Sequence, residues 1–110
     1  MVKLKLWQVD AFAEKSLEGN PAAIVPLDHW TDASLMQKIA NENNLAETAF
    51  FVRSAAGKYD LRWFTPEAEV DLCGHATLGS AYIVFSELDP SLSRVDFETR
   101  SGTLTVERGQ

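Results

Sequence analysis

Cysteine is nearly absent from this chain: Cys73 is the only one in 110 residues. An intrachain disulfide is therefore excluded, and the fold has to hold without a covalent cross-link. Only two histidines, His29 and His75, accompany the lone thiol, and they stand far apart. No metal-ligand spacing results, so no metal centre is expected. Positive charge is scarce as well, with ten Lys plus Arg against sixteen Asp plus Glu and a net charge of -6. A surface of that sign repels phosphate backbones and anionic headgroups, so neither nucleic acid nor a membrane surface is an expected partner. Long apolar runs are lacking too: the longest, Ala76 to Phe85, spans about ten residues and includes Thr77 and Ser80, well short of the roughly 20 that cross a bilayer. The opening residues Met1 to Trp7 alternate instead of forming the apolar block of an export signal. Together with an unpaired thiol, these features lead us to expect a cytoplasmic protein. No Gly-rich phosphate loop, Walker pattern or dinucleotide fingerprint occurs.

What is present is enough apolar material for one globular domain, 45% of the residues, with no repeat, linker or low-complexity segment to divide it. Val2 to Val9 alternates with period two and predicts a strand ending near Asp10. After a turn at Leu17-Glu18-Gly19-Asn20-Pro21, the run Ala22 to Val25 predicts a second strand, stopped by Pro26. Thr31 or Asp32 can cap a helix that buries Leu35, Met36, Ile39 and Ala40 and stops between Asn41 and Asn44. Thr48 to Arg53 and Tyr59 to Phe64 read as a hairpin around Ser54 to Gly57. Val70 to Leu72 reads as a brief strand. From Ala76 to Phe85 the residues are small or apolar almost all round, as in a helix enclosed on every side. Val95 to Thr99 and Thr103 to Glu107 are a last strand pair joined by Arg100-Ser101-Gly102. The sum is an α+β domain in which a mostly antiparallel or mixed sheet wraps a central hydrophobic helix.

Three segments are more polar or smaller than packing requires: Gly19 to Pro21, Asn43 to Thr48 and Asp71 to Thr77. Gly74 and His75 would open the enclosed helix, where free backbone N–H groups favour an anion such as a carboxylate. A tight turn with a packed histidine is the plainer alternative. Glu47 stands beside Ala46, Ala49, Phe50 and Phe51, where partial desolvation would suit it to proton transfer. A surface glutamate at a strand start is the alternative there. Cys73 at a helix start is either an activated thiol or an inert small residue. Asp10, Asp71, Glu67 and Glu69 are further acidic candidates, although acids at turns are commonly just solvated. His29 is expected to be structural, and Trp7, Trp63 and Phe64 to pack on the sheet.

Taken in order, Gly19-Asn20-Pro21-Ala22-Ala23-Ile24-Val25, Asn43-Asn44-Leu45-Ala46-Glu47-Thr48-Ala49-Phe50, Arg62-Trp63-Phe64-Thr65-Pro66 and Glu69-Val70-Asp71-Leu72-Cys73-Gly74-His75-Ala76-Thr77-Leu78 closely resemble the motifs of the phenazine-biosynthesis PhzF-like family. That family belongs to the diaminopimelate epimerase-like superfamily. The resemblance implies cofactor-independent isomerase or epimerase chemistry in a cleft between two similar domains, each a sheet wrapped around a helix. It implies that Glu47 is the proton-shuttling glutamate, that Gly74 and His75 contact a small carboxylate-bearing metabolite, and that Asn20 lines the cleft. Cys73 and Asp71 remain further site candidates, Cys73 because racemases of the superfamily use a thiol pair.

The resemblance also implies chains more than twice this length, so residues 1–110 are expected to be the N-terminal domain alone, without the second. Two explanations are open: an isolated half with little activity, or two copies that pair and complete each other's cleft. The latter leads to the expectation of a homodimer. A catalytically silent remnant that binds a small acid or a protein is the competing reading, and a thiol-dependent racemase is a third.

Overall fold

The computed structural model describes residues 5–11 and 20–109; the side chains of Asp10, Ala11 and Asn20 lie outside that description, as do the first half of the predicted opening strand and residues 17–19 of the predicted turn. Among the described residues, β1 (Trp7–Ala11), β2 (Asn20–Leu27), β3 (Glu47–Ala55), β4 (Lys58–Phe64), β5 (Glu69–Val70), β6 (Arg94–Thr99) and β7 (Gly102–Glu107) form one mixed sheet. Its order is β1-β2-β3-β4-β6-β7, with β5 also on β4. β2 and β3 run parallel, as do β4 and β6; the other pairs are antiparallel. β5 and β6 share one edge of β4, with β5 beside Trp63 and Phe64 and β6 beside Lys58 to Asp60.

Alternation along the strands divides the apolar residues between two faces. Ala22, Ile24, Ala49, Phe51, Tyr59, Leu61 and Trp63 belong to a cluster that receives helix α2 (Gly74–Ile83). Val25, Phe50 and Phe64 pack instead with Met36 and Ala40 of helix α1 (Ala33–Asn43). The sheet thus lies between two helices, and Glu47, two residues before Ala49, takes the α2 face. Phe51, Tyr59 and Phe97 add edge-on ring contacts at 5.3 to 6.1 Å, a geometry aromatic quadrupoles favour.

Several boundaries depart from the sequence reading. β2 runs through Pro26 to Leu27, because pairing with β1 has already ended at Ile24 and a proline is tolerated on an unpaired side. α1 is preceded by Asp32, which makes no side-chain capping bond, and it ends at Asn44 in the left-handed conformation (φ 53°) with its N–H on the Ala40 carbonyl. Of the four residues expected inside, Met36 and Ala40 are buried, whereas Leu35 is 45% exposed and Ile39 half-buried, both lining an open hollow beside Trp7 and Trp30. α2 starts at Gly74, earlier than its apolar run, and continues into a π-helical turn, Val84–Leu88. It is not enclosed on every side. Ala76, Gly79, Ser80, Ala81 and Ile83 are buried on the sheet, but Leu78 and Tyr82 on the outer side are 40% and 62% exposed. The outward-facing row therefore covers no part of this core.

Gly79 sets how closely α2 approaches. A Cβ there would lie 3.2 Å from Ile24 Cδ1 and 3.6 Å from Val9 Cβ. Alanine is otherwise worth about 1 kcal/mol over glycine inside a helix. We therefore expect Gly79→Ala to be held back by the Ile24 methyl and relieved in an Ile24→Val background, with a coupling of about 1 kcal/mol in a double-mutant cycle by urea unfolding. Strict additivity would remove the close-approach argument.

Candidate functional site

The C-terminal end of α1 and the start of β3 bring Asn43 to Thr48 to the edge of the sheet. Glu47 is the first residue of β3 and pairs in register with Ala22, which in turn pairs with Val9. Asn20 lies two residues before Ala22 on β2, so its backbone is at the same end of the sheet. Glu47 is half-buried, and its Oε1 is buried with no hydrogen-bond partner among the described residues. Asn43 Nδ2 and Thr48 Oγ1 share that condition. An unpaired buried carboxylate oxygen is costly, which marks this segment as one where polar groups are not arranged for stability alone.

α2 supplies the other side of the site. Cys73 precedes the helix in extended conformation, and the Thr77 N–H closes the first helical turn on its carbonyl at 3.1 Å. The N–H groups of His75 and Ala76 lie ahead of that bond and are directed at the Cys73 thiol. Cys73 packs against the α2-face cluster close to Glu47. Burial pushes its thiol up to about 11, and the Glu47 carboxylate adds to this; the N–H groups of Ala76 and His75 pull the other way. The thiol is therefore neutral at ordinary pH, a poor nucleophile and a poor base. Gly74 is exposed, has no positive φ, and a Cβ on it would meet no described atom within 4 Å. Neither the turn nor packing in this chain requires a glycine there, and the helix start is left open to a close approach. His75 beside it is half-buried.

A buried chain of hydrogen bonds fixes this end of α2 on the sheet. Trp63 Nε1 donates to Thr77 Oγ1 at 3.1 Å, and Thr77 Oγ1 donates to the Cys73 carbonyl at 2.7 Å. Trp63 thus does more than fill the sheet face, a role that alternation alone does not reveal. Glu69 turns out to be an ion-pair member instead of a solvated turn acid. Arg62 grips both of its oxygens at 2.8 Å, and Arg100 reaches Oε1 at 3.1 Å. The hydrogen bonds from Arg62 hold Glu69 below the usual carboxylate range despite its burial. Asp71 is exposed and faces Arg100 at 3.4 Å. It is on the outer side of the loop that carries Cys73.

Glu47, Cys73, Gly74 and His75 are therefore brought to one end of the α2 face, with the Asn20 backbone at the same end. Glu67 is exposed, His29 is exposed at the end of β2 away from Glu47, and the Asp10 side chain lies outside the described residues. Sequence reading passed over Thr77, Arg62 and Arg100 as individuals. The first two fall inside quoted motifs, but nothing in their spacing tells which partner each will find. Among the described residues no group of three or more His, Cys, Asp or Glu is placed to hold a metal, and no helix is long and apolar enough to cross a membrane.

The family model described as phenazine biosynthesis-like protein (PhzC-PhzF) matches residues 9–110. An uncharacterized isomerase of Pseudomonas aeruginosa is 54% identical over 107 residues, which is 97% of this chain and 41% of the relative. A phenazine biosynthesis PhzC/PhzF protein from Clostridium difficile (strain 630) has a crystal structure that matches with a TM-score of 0.89 at 51% identity, over 97% of this chain and 41% of that one. A phenazine biosynthesis protein of the PhzF family from Enterococcus faecalis matches with a TM-score of 0.91 at 46% identity, over 99% and 42%. The chain thus spans about two-fifths of the length of these relatives. With the family model, the sequence identity and the fold in agreement over almost all of its length, the chain belongs to the PhzC/PhzF phenazine biosynthesis-like family.

Proposed function

We propose that this domain is the proton-transfer half of an isomerase- or epimerase-type site that acts on a small carboxylate-bearing metabolite. The observation that carries the reading is the pairing of Glu47, with a buried oxygen lacking any described partner, with an open helix start across from it. The substrate carboxylate sits at the start of α2, beside Gly74 and His75, where the positive end of the helix stabilises it. Glu47 then faces the adjacent carbon. Its carboxylate takes a proton as the C–H bond breaks, the electron pair moves into the neighbouring π system, and the Glu47 carboxyl, which exchanges its proton with solvent in competition with return, delivers a proton to another carbon. The change is redox-neutral and needs no electron carrier. His75 and Asn20 line the cleft. Cys73, held as a neutral thiol, is less suited than Glu47 to remove a proton from carbon, which favours the glutamate over a thiol-dependent racemase.

A wall is still needed opposite, because such a transfer depends on positioned groups shielded from water. Leu78 and Tyr82 are exposed on the outer side of α2, and Leu72 is exposed in the loop just before it. We propose that a second copy of the chain covers these residues as a two-fold homodimer.

Three outcomes follow. In deuterated water the unmodified protein should exchange the carbon-bound proton of a small acid from a panel followed by NMR, and Glu47→Gln should slow this at least about 100-fold; no exchange with any acid rejects the catalytic reading. Alkylation of Cys73 should show a pH midpoint near 11 and be slow at pH 8. Removing the negative charge in Glu47→Gln should move that midpoint down and speed alkylation, because that charge is among the causes that raise it. Finally, light scattering should give a dimer mass, and Tyr82→Glu should return a folded monomer; a monomer in the unmodified protein at high concentration removes the pairing.

A further inference from the structure

The segment that delivers Cys73, Gly74 and His75 to the site has little backbone support of its own. β5 ends at Val70, and the first helical bond is the one onto the Cys73 carbonyl. Asp71 and Leu72, between them, are exposed and belong to no strand or helix. Side chains hold the segment from two directions. On the inner side stands the Trp63, Thr77 and Cys73 chain of hydrogen bonds. On the outer side stands the turn between β6 and β7, far along the sequence. Arg100 places Nη2 3.1 Å from Glu69 Oε1 and Nη1 3.4 Å from Asp71 Oδ1. Ser101 Oγ donates to the Asp71 carbonyl at 2.7 Å.

Neither anchor is loose. Glu69 is already held by both arms of Arg62 from β4. The turn is fixed by Thr99 Oγ1, which accepts the Ser101 N–H at 3.0 Å and donates to the Gly102 carbonyl at 2.8 Å. Gly102 takes φ +97°, a conformation that side chains oppose, so the turn points Arg100 and Ser101 back at the loop.

We propose that Arg100 and Ser101 are positioning residues for the Glu47 site: they fix the turn at Cys73 to His75, and so the direction from which the helix start faces Glu47. The proposal rests on the reading of that site given above, but its physical consequence is separate from any reaction. Arg100 and Asp71 are both well exposed, so their ion pair contributes little to global stability. Its effect is local, on a stretch that backbone pairing leaves unsupported.

The lone thiol reports on that stretch directly. Alkylation of Cys73 by iodoacetamide is followed by mass spectrometry on the full chain, across pH and well below the melting temperature. The unmodified protein is compared with Arg100→Ala, Arg100→Lys and Ser101→Ala, with melting curves measured alongside. Arg100→Ala and Ser101→Ala should each react about fivefold faster at pH 8, the ratio that one net hydrogen bond supports. Their pH midpoint should fall as the thiol becomes wetter. Arg100→Lys should recover part of the protection, and melting temperatures should stay within about 4 °C. Equal rates in all four proteins overturn the proposal. So does a rate that rises only in step with a falling melting temperature, because global opening would then explain it. Ser101→Ala removes a single surface hydroxyl and keeps the test available if Arg100→Ala does not fold. Thiol protection that depends on Arg100 in a protein without proton exchange would reject the chemistry and keep the positioning; exchange without that dependence would reject the positioning alone.

Discussion

The distance between α2 and the sheet governs the rest of this molecule. Gly79 presents no side chain where Ile24 and Val9 come up from β2 and β1, so the helix rests directly on them. Buried Ala76, Ser80 and Ala81 keep the remaining contact surface small, while the bulk of the core comes from the sheet as Phe51, Leu61, Trp63 and Phe97. Small residues on the helix and large ones on the strands interlock at a close spacing. That spacing brings the first turn of α2 within reach of Glu47, and it lets Trp63 reach Thr77 across the interface.

Two glutamates show how environment divides one residue type into separate tasks. Glu69 receives three charged groups from Arg62 and Arg100, and its carboxyl is held below the usual carboxylate range. Glu47 enters no ion pair among the described residues, has one buried oxygen without a partner, and lies close to a thiol that burial, with a smaller contribution from the Glu47 charge, keeps protonated. Glu69 is committed to structure. Glu47 has capacity left for a ligand, and the cost of that unpaired oxygen is offset by burial elsewhere in the core. One of the two arginines on Glu69, Arg100, also holds Asp71 in the loop that ends at Cys73.

The apolar row on α2 has a related logic. A helix that packs on one sheet face has to leave its opposite side somewhere, and in this domain Leu78 and Tyr82 remain uncovered while Ala76, Gly79 and Ile83 are enclosed. The sheet accounts for the apolar and small residues on the inner side of α2, and the exposed Leu78 and Tyr82 leave a second apolar surface on the outer side.

The order of the elements, the hairpin between β3 and β4, the last strand pair and the apolar nature of α2 were legible in the sequence, because each rests on local periodicity or turn chemistry. Four ordered motifs also singled out Glu47, Gly74 and His75 as candidates, and the fold brings these three to one end of the sheet. Which side of α2 stays open was not legible, since an all-apolar helix gives no phase to read. Nor was the passage of β2 through Pro26, which depends on where β1 stops. The Trp63 to Thr77 bond and the grip of Arg100 on Glu69 join residues 14 and 31 positions apart. No local pattern encodes such contacts. The sequence alone determined which chemistry-bearing residues the chain owns and the elements that carry them; the tertiary structure decided which became neighbours, because pairing between distant residues follows from sheet order and helix spacing.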